Sequence, residues 1–185
     1  INRFGWLRPQ EIGRYIWPGS KRPELYGDRM RLRLEKASLV ISRKLPRHCG
    51  TALLLSKIGA ALLKDEGIEA STGKDIGSVD ESGLWTPRST WKHDLLASSF
   101  LIRFRESYSP GECEVYSEYE IKNDDPLRFK VPDGIIKLPD NKLIWIEVEK
   151  SKKSGLKLMK MTDFAIKISR YGESVMGGSC QHVGL

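Results

Sequence analysis

Apolar residues in the first 70 positions recur at helical spacing in three places and fall into two short extended runs between them. Pro9–Ile16 reads as a helix with Ile12, Tyr15 and Ile16 on one side, and Pro18-Gly19-Ser20 ends it. Residues 26–36 form the next helix, with Met30, Leu34 and then Ala37 on an i, i+4, i+7 stripe. Residues 39–45 and Thr51–Leu55 read as two strands joined by the turn Pro46-Arg47-His48-Cys49-Gly50. Ser56 is placed to cap a helix that runs to about residue 66, with Ile58, Leu62 and Leu63 inward and Gly67 as its stop.

Periodicity then fades. Residues 69–88 hold Ser71, Thr72, Gly73, Gly77, Ser78, Ser82, Gly83 and Pro87, the composition of a linker or long loop. Beyond it, residues 91–105 return to a helical pattern carrying Leu95, Leu96, Ser99, Ile102 and Phe104. Residues 114–121 alternate, with Val115, Ser117, Tyr119 and Ile121 on one side and Glu114, Tyr116, Glu118 and Glu120 on the other. Residues 129–138 and 143–150 are two more strands around the turn Pro139-Asp140-Asn141-Lys142. A helix over 152–170 and a short strand near 174–176 complete an α-β-β-β-α-β order. The chain is therefore expected to be α+β, with one unit over 1–70, a linker over 71–88 and a second unit over 89–185.

Charge sharpens this division. Residues 1–70 carry 14 Lys+Arg against 7 Asp+Glu, while residues 71–185 carry 17 of each, so the whole formal charge of +7 lies in the first unit. That asymmetry points to a polyanion-binding module. Arg29, Arg31, Arg33 and Lys36 on the second helix and Arg43, Lys44 and Arg47 on the hairpin are the candidate DNA contacts, since an Arg fork fits both phosphate and a guanine edge. Three widely spaced cysteines without a CxxC pair argue against a disulfide scaffold and a Cys-based zinc site. No apolar run approaches a membrane span, and the opening Ile1–Trp6 stretch has no leader-like apolar core. A cytoplasmic setting is expected. The chain starts without Met, as a piece of a longer protein would.

The candidate chemistry lies in Val131-Pro132-Asp133-Gly134 and Ile146-Glu147-Val148-Glu149-Lys150. Asp133 precedes Glu147 by 14 residues across a turn, so an antiparallel hairpin brings them together, and Glu147 and Glu149 share one strand face. Three converging carboxylates raise one another's pKa, and a divalent cation, Mg²⁺ or Mn²⁺, relieves the repulsion and can activate a water for attack on phosphate. Ile144, Trp145, Ile146 and Val148 suggest a third strand buried on both faces.

Two resemblances follow from these residues. The first unit, through Phe4-Gly5-Trp6-Leu7-Arg8-Pro9-Gln10-Glu11-Ile12, residues 29–39 and Leu54-Leu55-Ser56-Lys57-Ile58-Gly59, resembles the winged helix-turn-helix domains of bacterial DNA-binding proteins. The second, through Pro132-Asp133 and Glu147-Val148-Glu149, resembles the PD-(D/E)XK superfamily with the restriction-endonuclease fold, with Glu149 where the pattern has Lys. Taken with His93-Asp94-Leu95-Leu96, the whole is similar to the replication-relaxation family and to MOBC-type plasmid relaxases. The resemblance implies a metal-dependent mobilisation protein that binds a plasmid transfer origin and nicks one DNA strand, in company with accessory mobilisation proteins or a coupling protein. It implies Asp133 and Glu147 as metal ligands and Glu149 in the Lys position. It further implies Glu118 or Glu120 as the acidic residue of the preceding strand and His93 as a group near the scissile phosphate. Whether a Tyr or a water attacks stays open. The alternatives are a DNA-binding regulator or replication-initiation factor with an inactive nuclease-like unit, and a restriction-type endonuclease that cuts both strands.

Overall fold

Prolines open the first two helices. α1 (Pro9–Ile16) and α2 (Pro23–Lys36) each carry Pro in the first turn, where its missing N–H costs nothing. α2 thus begins three residues before the expected 26–36 span. The computed structural model describes residues 1–72, 77–109, 111–124, 131–149 and 180–184, together with Met159 and Asp163 as isolated helical positions. The described residues form a mixed α+β structure with three small sheets. α1 and α2 approach at two glycines. A Cβ added to Gly13 would lie 1.8 Å from the Pro23 carbonyl oxygen, and one on Gly27 would lie 1.8 Å from that of Pro9.

Behind the helices lies an antiparallel sheet of β1 (Trp6–Leu7), β2 (Val40–Lys44) and β3 (Thr51–Leu55), with β3 in the middle. Ser56 caps α3 (Lys57–Asp65) as its sequence position suggests: Oγ accepts from the Gly59 N–H at 2.9 Å and donates to the Ser38 carbonyl at 2.7 Å. α3 is rotated from the expected orientation. Gly59 and Ala60 are buried and Leu63 is half-buried, while Ile58 and Leu62 face outward at 59% and 48% exposure. A Cβ at Gly59 would meet the Leu39 carbonyl oxygen at 2.2 Å, so the helix seats its glycine, not its largest side chains, against the strand entry. Ala37, expected on the inward stripe of α2, is exposed at the helix end.

The expected linker has structure of its own. β4 (Gly77–Val79) and β5 (Trp85–Pro87) form an antiparallel hairpin. Asp80 Oδ1 closes its turn by accepting from the Ser82 and Leu84 N–H groups, each at 2.9 Å. Trp85 packs against a cluster of Trp6, Leu45, Ala52 and Trp91.

The remaining elements are α4 (Trp91–Glu106), β6 (Glu114–Ser117), α5 (Glu118–Asp124), β7 (Gly134–Lys137), β8 (Leu143–Glu147) and β9 (Cys180–Gly184). Their sheet runs β6-β7-β8-β9, antiparallel through β8, with β9 parallel to β8. The strand expected over 114–121 stops at Ser117. Its Oγ accepts from the Glu120 N–H at 3.2 Å, which starts a helix in place of further alternation and moves Glu118, Tyr119, Glu120 and Ile121 onto α5. β7 begins at Gly134: of the strand expected over 129–138, residues 131–133 are described and lie ahead of the strand, and residues 129–130 lie outside the described residues. So do the expected helix 152–170, apart from Met159 and Asp163, and the expected strand 174–176. β8 buries Ile144 and Ile146 on one face, while Leu143, Trp145 and Glu147 are half-buried on the other, so it is not enclosed on both.

One apolar cluster joins the two expected units. Phe4, Leu7, Ile12 and Leu53 from the first pack with Leu101, Ile102, Val115, Ile136 and Ile146 from the second. Polar contacts follow the same seam. Arg105 lies 4.2 Å from the Tyr15 ring centroid and donates to the Tyr15 carbonyl at 2.8 Å, and Arg14 pairs with Glu106 at 2.9 Å. Glu11, buried, holds Arg8 through two hydrogen bonds and accepts from Ser99 Oγ at 3.0 Å. The sequence boundary near residues 70–90 is thus not a boundary in packing.

The glycine crossing gives a direct test. Gly13→Ala or Gly27→Ala places a methyl group on backbone, which cannot rotate away. Either variant is expected to lose about 3 kcal/mol or more of stability in urea unfolding. An exposed glycine-to-alanine control is unsuitable at Gly19, whose positive φ of 74° adds strain of its own. Wild-type midpoints for Gly13→Ala and Gly27→Ala would show that the helices do not cross this closely.

Candidate functional site

Asp133 sits immediately before β7 with 8% of its surface exposed. Its backbone N–H donates to the Ile146 carbonyl at 3.1 Å, so the main chain is already paired with β8 when the side chain leaves it. Asp133 Oδ2 accepts from the Val148 N–H at 2.7 Å. The same oxygen lies 3.1 Å from His93 Nε2. His93, in the first turn of α4, also points Nε2 at the Val148 carbonyl, 3.0 Å away. Two acceptors around one ring nitrogen require that nitrogen to carry a proton, which assigns Nε2–H as the donor. Nδ1 lies 3.7 Å from Asp94 Oδ1, beyond hydrogen-bond reach. A small pocket lined by His93, Asp94, Ser98, Glu118, Tyr119 and Asp133 surrounds this arrangement.

The carboxyl of Asp133 is held above the usual aspartate range. Burial is the main cause, and the Val148 N–H and His93 pull against it, while Glu147 and Glu118 add to the rise. The structure therefore brings Asp133, His93, Glu118 and Glu147 within electrostatic reach. Glu147 Oε1 accepts from Trp145 Nε1 at 2.9 Å on the outer face of β8. Glu149 lies two residues past the end of β8, and Val148 between it and Glu147 packs on the same core cluster as Ile144 and Ile146. β8 ends at Glu147, and the next N–H, that of Val148, goes to the Asp133 side chain. Glu120 lies elsewhere: Arg3 grips it at 2.6 and 3.0 Å, tying the start of the chain to α5. Glu118, one residue into α5, is the acidic neighbour of Asp133. Hard carboxylate oxygens around a buried carboxyl of raised pKa are the donor chemistry that suits Mg²⁺ or Mn²⁺. Among the described residues, however, no three His, Cys, Asp or Glu side chains are gathered closely enough to hold a metal ion.

The basic candidates divide in two. Arg29, Arg33 and Lys36 are exposed on α2. Arg31 is not on that face. It is held by Asp28 at 3.2 Å and by Glu35 at 2.9 Å, and Glu35 in turn accepts from Ser42 on β2, so Arg31 links α2 to the sheet. Arg43 is half-buried on β2, and Lys44 and Arg47 are exposed towards the hairpin tip. At that tip Arg47 and His48 both adopt left-handed backbone, with φ of 55° and 57°. The turn is pinned by the Gly50 carbonyl, which accepts from the Leu45 N–H at 2.8 Å, and by Arg8, which donates to the Cys49 carbonyl at 3.2 Å.

Sequence patterning did not mark the Val148 N–H, because a backbone donor leaves no residue-type signal. Tyr119 shares a side with Val115 in the strand pattern read over 114–121. It lines the Asp133 pocket instead, with its hydroxyl against Ser71 Oγ, and the Ser117 cap that turns the strand into α5 is the signal that could have placed it there. No helix among the described residues is long and apolar enough to cross a membrane. No protein-family model, no curated protein and no solved structure matches this chain.

Two outcomes follow from this geometry. Left-handed backbone costs a side-chain-bearing residue roughly 1–2 kcal/mol, so Arg47→Gly is expected to raise stability by up to about 1 kcal/mol after the glycine's unfolded-state entropy. Arg43→Gly, in extended β2, is expected to lower stability by roughly 0.5–1 kcal/mol. Thermal unfolding compares the two, and a loss at Arg47 equal to that at Arg43 would contradict the turn geometry. The second outcome concerns pH. A folded-state pKa raised above the ordinary aspartate value of 3.8 makes folding take up a proton between the two values. The Asp133 charge therefore costs stability fully above the folded pKa, and the cost vanishes below the ordinary value. Asp133→Asn should be more stable than wild type near neutral pH, with the gap closing as pH falls. Urea midpoints at several pH values test this, and a gap independent of pH would show that the Asp133 charge is not the cause.

Proposed function

We propose that the chain binds duplex DNA through α2 and the β2–β3 hairpin and cleaves one strand at a centre built on Asp133, as a relaxase-like mobilisation protein acting at a plasmid transfer origin. The observation that carries the reading is the hold on Asp133. A carboxylate preceding a sheet strand is fixed by a backbone N–H and by a histidine that reaches it from the facing helix. Element order supports the same reading. β1-α1-α2-β2-β3, with β3 between β1 and β2, suits a winged helix-turn-helix in which α2 enters the groove and the hairpin is the wing. α4, the β6-β7-β8 meander and a parallel β9 suit the αβββαβ core of the PD-(D/E)XK nucleases. The excess positive charge of residues 1–70 supplies the sequence-independent attraction to phosphate.

Each residue then has a physical task. Asp133 and Val148 hold the Nε2 proton of His93, which leaves Nδ1 as the ring atom that can accept or return a proton at the substrate. Asp133 and Glu147 would hold Mg²⁺ or Mn²⁺, with Glu149 just beyond the strand end and Glu118 across the pocket. Such a cation, when bound, neutralises the scissile phosphate and lowers the pKa of its water. Glu147 is steadied by the Trp145 N–H, which fixes the carboxylate relative to β8. That same bond favours a second reading, a DNA-binding regulator or replication-initiation factor whose nuclease-like unit does not cleave. In it Glu147 is a structural acceptor and the carboxylates are never drawn together.

The two readings separate in one experiment. A duplex site is selected from a random pool with the full chain and placed in a supercoiled plasmid, which is then incubated with protein and Mn²⁺ or with EDTA. Conversion to open circles with Mn²⁺ alone is expected. Asp133→Ala and Glu147→Ala should lose it, and His93→Ala should slow it by about 10²-fold or more. Fluorescence anisotropy should give unchanged DNA affinity for all three. Wild-type nicking by Asp133→Ala would remove the proposed centre, and binding without nicking by the wild type would establish the regulator reading.

A further inference from the structure

The outward face of α2 is a single mixed stripe. At roughly 100° per residue, Leu25, Arg29, Leu32, Arg33 and Lys36 fall within an arc of about 100–120°. All five are exposed, Leu32 at 56% and Leu25 at 38%. The opposite face is filled: Gly27 meets the Pro9 backbone, and Met30 packs on the shared core. Arg31, off the stripe, is occupied by Asp28 and Glu35, so the acidic residues beside the stripe are already balanced. What remains on the outer face is three cations and two leucines. The leucines are not spare core residues pushed out by crowding, since their helical positions lie opposite the buried side.

This inference rests on the DNA-binding reading. We propose that the stripe reads a duplex site in which thymine neighbours guanine, with Leu32 as a specificity-determining residue that packs on a thymine 5-methyl group. Charge complementarity selects the occupant. Three cations bracketing the leucines suit a groove walled by phosphates, and an apolar protein face would leave those charges unpaired. Geometry selects the bases. Arg29 and Arg33 are one turn apart, about 6 Å along the helix, which is close to two base-pair steps at about 3.4 Å each. Arg is the side chain that forks onto guanine O6 and N7, and the only apolar group on the major-groove edge of a base pair is the thymine methyl. A leucine beside two such arginines therefore has one apolar target within the groove. Lys36, in the last turn, reaches phosphate and carries no base preference.

The experiment starts from duplexes selected from a random pool by the full chain. Each thymine of the selected site is replaced in turn by deoxyuridine, which removes only the methyl group, and affinity is read by fluorescence anisotropy. Wild type is expected to lose about fourfold at one thymine, the worth of one buried methyl. Leu32→Ala should bind thymine and deoxyuridine equally at that position. Its salt dependence should match wild type, because no phosphate contact is lost. Lys36→Ala should do the reverse, with the thymine preference kept and the salt slope reduced by about one. Leu32 is exposed, so its truncation leaves folding intact, and circular dichroism checks this. Indifference of wild type to every deoxyuridine, or full discrimination retained by Leu32→Ala, overturns the assignment while leaving DNA binding in place. Failure of wild type to enrich any duplex overturns the DNA reading itself.

Discussion

Phe4, Leu7 and Ile12 cannot be buried by the first 70 residues alone. Their cluster is completed by Leu101 and Ile102 of α4 and by the inner faces of β6, β7 and β8. Burial of large apolar side chains is worth roughly 1.5–3 kcal/mol each, so this shared cluster is among the larger favourable terms in the molecule. Much else follows from it. α4 must lie across both sheets. Its first turn is then carried to the open end of the β7–β8 hairpin, and there His93 meets Asp133. The polar seam of Arg14–Glu106, Arg105–Tyr15 and Glu11–Ser99 runs along the same contact and fixes its orientation.

The site inherits its electrostatics from this arrangement. Burial behind α4 raises the Asp133 pKa, and the neighbouring Glu118 and Glu147 raise it further. A carboxyl in that position stays ordered only if its oxygens are satisfied, and the Val148 N–H does this. One hydrogen bond just past the end of β8 thus orients a candidate functional group.

Much of the local structure was legible in the sequence. The span of α1, the β2–β3 hairpin and the Ser56 cap all follow from proline placement, turn residues and a hydroxyl ahead of an apolar run. The failures have physical causes. Residues 114–121 alternate like a strand, but a Ser in their middle can cap a helix, and Ser117 does so. Ile58 and Leu62 look like the natural core face of α3, yet Gly59 permits a closer backbone approach than they could. Asp133 and Glu147 were legible as cross-strand neighbours because hairpin arithmetic depends only on spacing. The continuity of the core was not legible at all, since charge and linker composition report on surface and not on which apolar faces meet.

The two glycines where α1 and α2 cross hold the backbone of α2 so firmly that its outer side chains contribute nothing to keeping it there. Any residue compatible with a helix can replace Leu25, Arg29, Leu32 or Arg33 at little cost to folding, because none of them supports a neighbour in the core. Such an arrangement separates heritable change in what the helix presents from change in how the protein holds together. A lineage carrying this fold can alter the outer stripe one residue at a time, through intermediates that all still fold, while the buried glycines admit almost no variation.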